Sequence, residues 1–193
     1  MNNKPSRWSR RTLLKTLTAS PLFLAHGLLR AQDEIAKVRV VLSYPMGMWY
    51  FEPLGLYVEK GQTVEFLATR WGPTVTAFHP SNGNQELRMP EGAEPFDSGL
   101  MSQGDTFRWT FDVEGTYDYF SKNHVGLGMV GRIVVGRPGG PGEKPPRYGG
   151  AEGRAPIYQR AMDFFAQIDS QEIMRLKKVS VPTDKLGRQY PEY

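Results

Sequence analysis

Residues 115–135 read GTYDYFSKNHVGLGMVGRIVV, and this stretch determines the fold class. Its first part, residues 116–120, and its last part, residues 131–135, are short runs rich in aromatic and β-branched residues, as β-strands are. The loop between them carries His124 and Met129. The stretch therefore predicts two strands joined by a loop whose imidazole and thioether are both able to bind a metal.

Five further segments carry strand signals. Residues 105–111 alternate between polar and apolar, with Phe107, Trp109 and Phe111 on one face. The other four segments are residues 37–42, 56–59, 63–68 and 74–78. Short strands at this spacing predict an all-β Greek-key sandwich. Residues 80–101 have few strand signals, and so long a loop predicts a segment that is functional or covers part of the domain.

The loop resembles that of the cupredoxins, the blue-copper family of plastocyanins, pseudoazurins and halocyanins. The family pattern is Tyr-x-Tyr-x-Cys-x-x-His-x-x-x-x-Met-x-Gly, and residues 117–131 match it except at the cysteine. Residues 50–57 and 87–99 also resemble a bacterial branch of the family. The resemblance covers roughly residues 36–136, and it implies a cupredoxin sandwich in a family whose members bind copper and transfer electrons.

The resemblance also implies where the copper ligands would stand. His124 matches the second histidine and Met129 the axial thioether, whereas Ser121 stands at the cysteine position and Pro73 at the first histidine position. The chain contains no cysteine. Because a blue-copper centre requires a thiolate and two imidazoles, we expect no copper cofactor of this type. We expect instead a non-redox binding or structural protein.

An altered copper site is the alternative. Met46 and Met48 lie in a region that can come near the metal end in this fold, and with His124 and Met129 they would suit Cu(I). Such a protein would be a copper-binding electron-transfer or copper-handling protein. Methionine also fills gaps in cores, so both interpretations of these residues stay open at this stage.

Two other uses of the histidines are disfavoured. His79 lies six residues after Pro73, roughly 20 Å along an extended strand, so it cannot replace the lost histidine and is interpreted as a structural or surface residue. Ser121 and His124 are three residues apart, but the sequence indicates neither an acidic partner nor an oxyanion hole. We therefore expect no enzyme.

Residues 1–31 have the composition of an export signal. Residues 9–15, Ser-Arg-Arg-Thr-Leu-Leu-Lys, resemble the twin-arginine motif, and a short apolar stretch follows at residues 17–29. We expect cleavage near Ala31 and a periplasmic or other extracytoplasmic location, with an uncleaved membrane anchor as the alternative. Beyond this segment 18 basic residues stand against 20 acidic ones, a balance that excludes a broad nucleic-acid surface.

The C-terminal part follows the domain at residues 35–136. Residues 137–153 are rich in proline and glycine, which predicts a linker. Residues 154–193 are interpreted as a helical extension, with Pro156 in a first turn and Ser170 as the cap of a second helix. Its apolar residues either cover the sandwich or, within residues 154–176, bind a partner protein.

Overall fold

Two β-sheets face each other in the computed structural model, which describes residues 35–43, 48–148 and 156–181. The four-stranded sheet has the order β2-β1-β4-β6 and the five-stranded sheet the order β5-β7-β8-β3-β9. The strands are β1 (Ala36–Ser43), β2 (Met48–Glu52), β3 (Gly55–Val58), β4 (Gln62–Ala68), β5 (Thr76–Ala77), β6 (Thr106–Phe111), β7 (Gly115–Phe120), β8 (Val130–Val135) and β9 (Lys178–Val179).

The pairing mixes parallel and antiparallel strands. β1 runs parallel to β4, β3 runs parallel to β8, and the remaining pairs of named strands are antiparallel. The predicted all-β sandwich is confirmed. Two strands were not predicted: β2 lies in a segment that was read only as a family motif, and β9 has two residues, too few for a pattern of alternation to show.

The core between the sheets combines strand and loop residues. Phe107, Trp109 and Phe111 all face this core, as the alternation in β6 predicts. Met89 and Phe96, both at most 1% exposed, enter the same core from the long insertion. Burying one such side chain stabilises the fold by about 1.5–3 kcal/mol, so the insertion is part of the domain's packing.

The C-terminal extension forms two helices, α1 (Pro156–Phe165) and α2 (Ser170–Leu176). Apolar side chains of the helices and of Ile168 between them pack on the sandwich in a second cluster, which joins Phe165, Ile168 and Ile173 to Phe78 and Phe120. Pro156 begins the first helix as predicted.

The prediction that Ser170 caps the second helix is wrong. Asp169 is the cap, and its carboxylate accepts a hydrogen bond from the Gln171 backbone N–H at 2.8 Å. The Ser170 hydroxyl instead donates a hydrogen bond to the Glu143 carboxylate at 2.6 Å, so it does not cap the helix. The charged Asp169 carboxylate, one residue earlier in the chain, satisfies the free backbone donor.

A buried ion network fastens the extension to the sandwich. Asp118 of β7 accepts hydrogen bonds from Arg88 at 2.8 Å and from Arg132 at 2.7 and 3.0 Å. Both guanidinium groups also donate to the Gly142 carbonyl, and Arg132 donates to the Ile168 carbonyl. The described part of the proline- and glycine-rich segment, residues 137–148, is therefore held by hydrogen bonds from within the domain.

Candidate functional site

The loop between β7 and β8 is closed by its own backbone. The Ser121 N–H donates to the Met129 carbonyl at 3.1 Å, and the Met129 N–H donates to the His124 carbonyl at 3.2 Å. A short 3-10 helix, Val125–Leu127, lies inside the loop and ends at Gly128, whose φ of 79° is readily adopted only by glycine. These contacts hold Ser121, His124 and Met129 in one tight turn.

Ser121, at the position where the resemblance implies a cysteine, is a hydrogen-bonded hydroxyl. Its Oγ is fully buried and accepts from the Thr74 backbone N–H at 3.1 Å. It also lies 3.1 Å from Nδ1 of His124. Because the amide can only donate, the hydroxyl proton is available to Nδ1, and we assign the ring proton of His124 to Nε2. Burial lowers the pKa of His124, which favours this neutral form.

The His124 ring also stacks on an aromatic side chain. Trp49 of β2 lies with its ring centroid 4.0 Å from that of His124 and its plane 19° away. Next to this pair is an open cavity of about 300 Å³ with mostly apolar walls, lined by Leu42, Trp49, Arg70, Trp71, Gly72, Asn123 and His124. Trp71 is 75% exposed.

Pro73 lies beside the loop, where the resemblance implies a ligand. Its two neighbours both contact the loop: Thr74 through the hydrogen bond to Ser121, and Gly72 through its carbonyl, which accepts from Asn123 at 2.9 Å. Pro73 is buried, and its ring carries no donor atom for a metal.

Met101 was not singled out from the sequence. The Gly72 N–H donates to the Met101 carbonyl at 2.8 Å, and the Met101 N–H donates to the Pro73 carbonyl at 2.9 Å. The residue closes the long insertion, a segment without a recognisable period, so only its identity as a methionine could have signalled it. The buried Met101 thioether therefore belongs to a chain segment that is hydrogen-bonded to Pro73 through its backbone.

The other residues singled out from the sequence have different surroundings. Met129 is fully buried in the main core. Met48 begins β2 opposite Ser43, and Met46 lies outside the described residues. His79 caps a short 3-10 helix and accepts from the Ser81 N–H at 3.1 Å, the structural role expected for it.

The donor atoms do not fit the copper centre that the resemblance implies. Where the resemblance implies a thiolate and one imidazole, the chain has a neutral hydroxyl and a proline, and Nδ1 of His124 is already hydrogen-bonded to Ser121. Within residues 35–43, 48–148 and 156–181, no group of three or more His, Cys, Asp or Glu side chains could hold a metal ion. The Ser121–His124 pair is no accessible nucleophile either, because Ser121 is fully buried.

Comparisons with known proteins agree with this architecture. A plastocyanin from Oryza sativa subsp. indica is 29% identical over 130 residues, which cover 65% of this chain and 80% of that protein. A plastocyanin from Scenedesmus fuscus is 32% identical over 102 residues, 51% of this chain and 98% of that protein.

A solved pseudoazurin from Sinorhizobium superposes with a TM-score of 0.50 at 27% identity, covering 70% of this chain and 96% of that one. Residues 38–136 match the family described as copper binding proteins, plastocyanin/azurin family. The match spans about half of the chain and includes both sheets, apart from the strand β9, together with the loop that carries Ser121, His124 and Met129. The chain therefore belongs to the plastocyanin/azurin family.

Proposed function

We propose that this family member is a non-redox binding protein that works outside the cytoplasm. One observation carries the proposal: the Ser121 hydroxyl bridges the Thr74 amide and Nδ1 of His124, each at 3.1 Å. A neutral oxygen engaged in this way neither supplies the thiolate of a blue-copper site nor leaves Nδ1 of His124 free for a metal.

Exposed apolar side chains beside this closed end support a binding role. Trp71 is 75% exposed and Leu100 is 65% exposed. Their neighbours Gly72 and Met101 are joined by a backbone hydrogen bond of 2.8 Å, so the two side chains belong to one end of the molecule. Exposed apolar groups that cluster beside a cavity are typical of interaction sites.

The location outside the cytoplasm rests on the motif at residues 9–15. None of the helices that the structure describes is long and apolar enough to cross a membrane. Replacing both Arg10 and Arg11 by lysine should leave the protein in the cytoplasmic fraction of a host with a twin-arginine pathway. An unchanged extracytoplasmic fraction would refute this route.

Copper titration tests the non-redox assignment. We expect no intense thiolate-to-copper band and no reversible one-electron couple when Cu(II) is added to the natural chain. The paired variant Pro73→His with Ser121→Cys restores both missing donor types, so it should gain the intense band. Stoichiometric copper with a reversible couple in the natural chain would overturn the proposal.

A Cu(I)-handling protein is the second candidate, and Met101 favours it. Met101 pairs with Pro73 through its backbone, and the Met129 carbonyl accepts from Ser121, which in turn contacts Thr74, so hydrogen bonds connect both methionines to the segment of residues 73–74. Thioethers prefer Cu(I) to Cu(II). Under this candidate, Met101→Leu and Met129→Leu each weaken Cu(I) binding in a competition assay, whereas Met162→Leu, buried in the second cluster, does not. Equal binding by all three variants would exclude it.

A further inference from the structure

Strand β6 forms one edge of the four-stranded sheet, and half of its backbone groups face outward. The carbonyls of Asp105 and Phe111 accept from Ala68 and Gly61 on the β4 side. Because backbone direction alternates along an antiparallel strand, Thr106, Arg108 and Thr110 point their N–H and C=O groups away from β4. Across the described ranges, no backbone hydrogen bond reaches these groups.

A cleft of about 520 Å³ runs beside this edge. Its lining combines Gly92, Ala93 and Glu94 of the insertion with Arg108, Trp109 and Thr110 of β6. Trp109 is only partly buried although it belongs to the main core. The cleft therefore combines a free main-chain edge with an aromatic wall and small residues opposite.

The charges at the cleft are acidic. Glu94 and Asp112 are exposed and make no ion pair within the described segments. The cation beside them, Arg108, is already bound to Glu65 at 2.6 Å. A basic ligand would thus meet two uncompensated carboxylates, and an acidic ligand would be repelled.

We propose that the β6 edge binds an extended, basic segment of a partner polypeptide. The segment adds as a fifth strand to the sheet, and its main chain pairs with the outward groups of Thr106, Arg108 and Thr110. Lysine or arginine side chains at alternate positions face Glu94 and Asp112, and apolar ones contact Trp109. The binding is independent of the His124 end, so it holds or fails separately from the proposed function.

Proline at position 108 isolates the backbone contribution. The Arg108 N–H points outward, so Arg108→Pro leaves the β4 ladder intact and is tolerated at an edge strand. It removes the central donor for an added strand. Arg108→Ala is the matched control, because it loses the same ion pair with Glu65 but keeps the N–H.

The probe is the acetylated and amidated peptide Lys-Val-Lys-Val-Lys-Val, titrated into ¹⁵N-labelled protein. We expect the largest amide shifts at Thr106, Arg108 and Thr110. Arg108→Pro should weaken affinity about tenfold relative to Arg108→Ala, as expected for a lost hydrogen bond. The double variant Glu94→Gln with Asp112→Asn should also weaken binding, and the peptide Glu-Val-Glu-Val-Glu-Val should not bind.

Any one of four results would overturn the proposal. One is the absence of binding by the basic peptide at millimolar concentration. Another is a set of shifts centred away from β6. The third is equal affinity of Arg108→Pro and Arg108→Ala. Should the proline variant not fold, as judged by circular dichroism, unchanged affinity of the Glu94 and Asp112 double variant would refute the proposal equally.

Discussion

Replacing Asp118 by asparagine tests how the C-terminal extension is joined to the sandwich. The Asp118 carboxylate is fully buried and is shared by two guanidinium groups, of Arg88 and Arg132, which are 0% and 6% exposed. Asparagine keeps the size of the side chain but removes its charge. It leaves two buried cations: Arg88 keeps Glu86 at 3.3 Å, and Arg132 keeps the attraction of Glu143 and Asp169.

The expected loss is large because the cations stay buried. Removing one partner of a buried ion pair typically costs 3–5 kcal/mol, a substantial part of the about 5–15 kcal/mol that stabilises a folded domain. For a chain of this size each kcal/mol corresponds to about 2–4 °C in Tm. We therefore expect Asp118→Asn to lower Tm by roughly 6–20 °C, since it weakens both the sandwich and the attachment of residues 142 and 168.

Urea unfolding followed by tryptophan fluorescence measures the effect. Asp163→Asn is the control, because it removes an exposed ion pair in which the Arg147 side chain is 31% and the Asp163 side chain 62% exposed. Such a pair contributes at most about 1 kcal/mol. The reasoning would be refuted if Asp118→Asn lost no more free energy of unfolding than Asp163→Asn at an unchanged slope in urea.

Three further predictions concern single side chains. Burial lowers the pKa of His124, so the unfolded chain binds more protons than the folded chain near pH 6. The free energy of unfolding should therefore fall as the pH drops through about 6.5. His124→Gln should flatten this pH dependence, which urea titrations at several pH values measure. Tyr119→Phe should leave the Tm unchanged or slightly higher, since the buried hydroxyl has no hydrogen-bond partner in the described ranges; a marked fall in a thermal melt would contradict this. Gly128→Ala should lower the free energy of unfolding in urea more than Gly83→Ala does. Both glycines have positive φ, but an added Cβ meets Phe164 only at position 128. Equal losses of free energy in the two variants would argue against that contact.

The sandwich could be predicted because its strands carry local patterns. Residues 105–111 alternate cleanly, and residues 117–131 match a family loop at every position but one. The buried network could not be predicted in the same way. Asp118 is a charged residue in a strand, and the local pattern alone would predict that it is exposed to solvent. Its partners Arg88 and Arg132 are 30 and 14 residues away in sequence. Only tertiary contacts make its burial favourable.

The candidate site likewise has features that the sequence predicted and features that it did not. Ser121 and Pro73 were identifiable as substitutions because the family pattern assigns a ligand to each position. The sequence did not predict that Ser121 would bond to both Thr74 and His124, since that depends on how two distant segments meet. Met101 was missed for the same reason: its role follows from backbone pairing with Gly72 and Pro73.

The loop of residues 121–129 is held by contacts that require no metal. On its inner side, the Ser121 hydroxyl links the loop to the segment at Thr74, which precedes β5. On its outer side, Val125 packs in the cluster that contains Phe165 of α1, and Gly128 lies against Phe164. Packing of the helix thus replaces part of the stabilisation that ligand bonds supply in metal sites. A loop fastened on both sides in this way holds its conformation with Ser121 and Pro73 at the positions where the resemblance implies ligands.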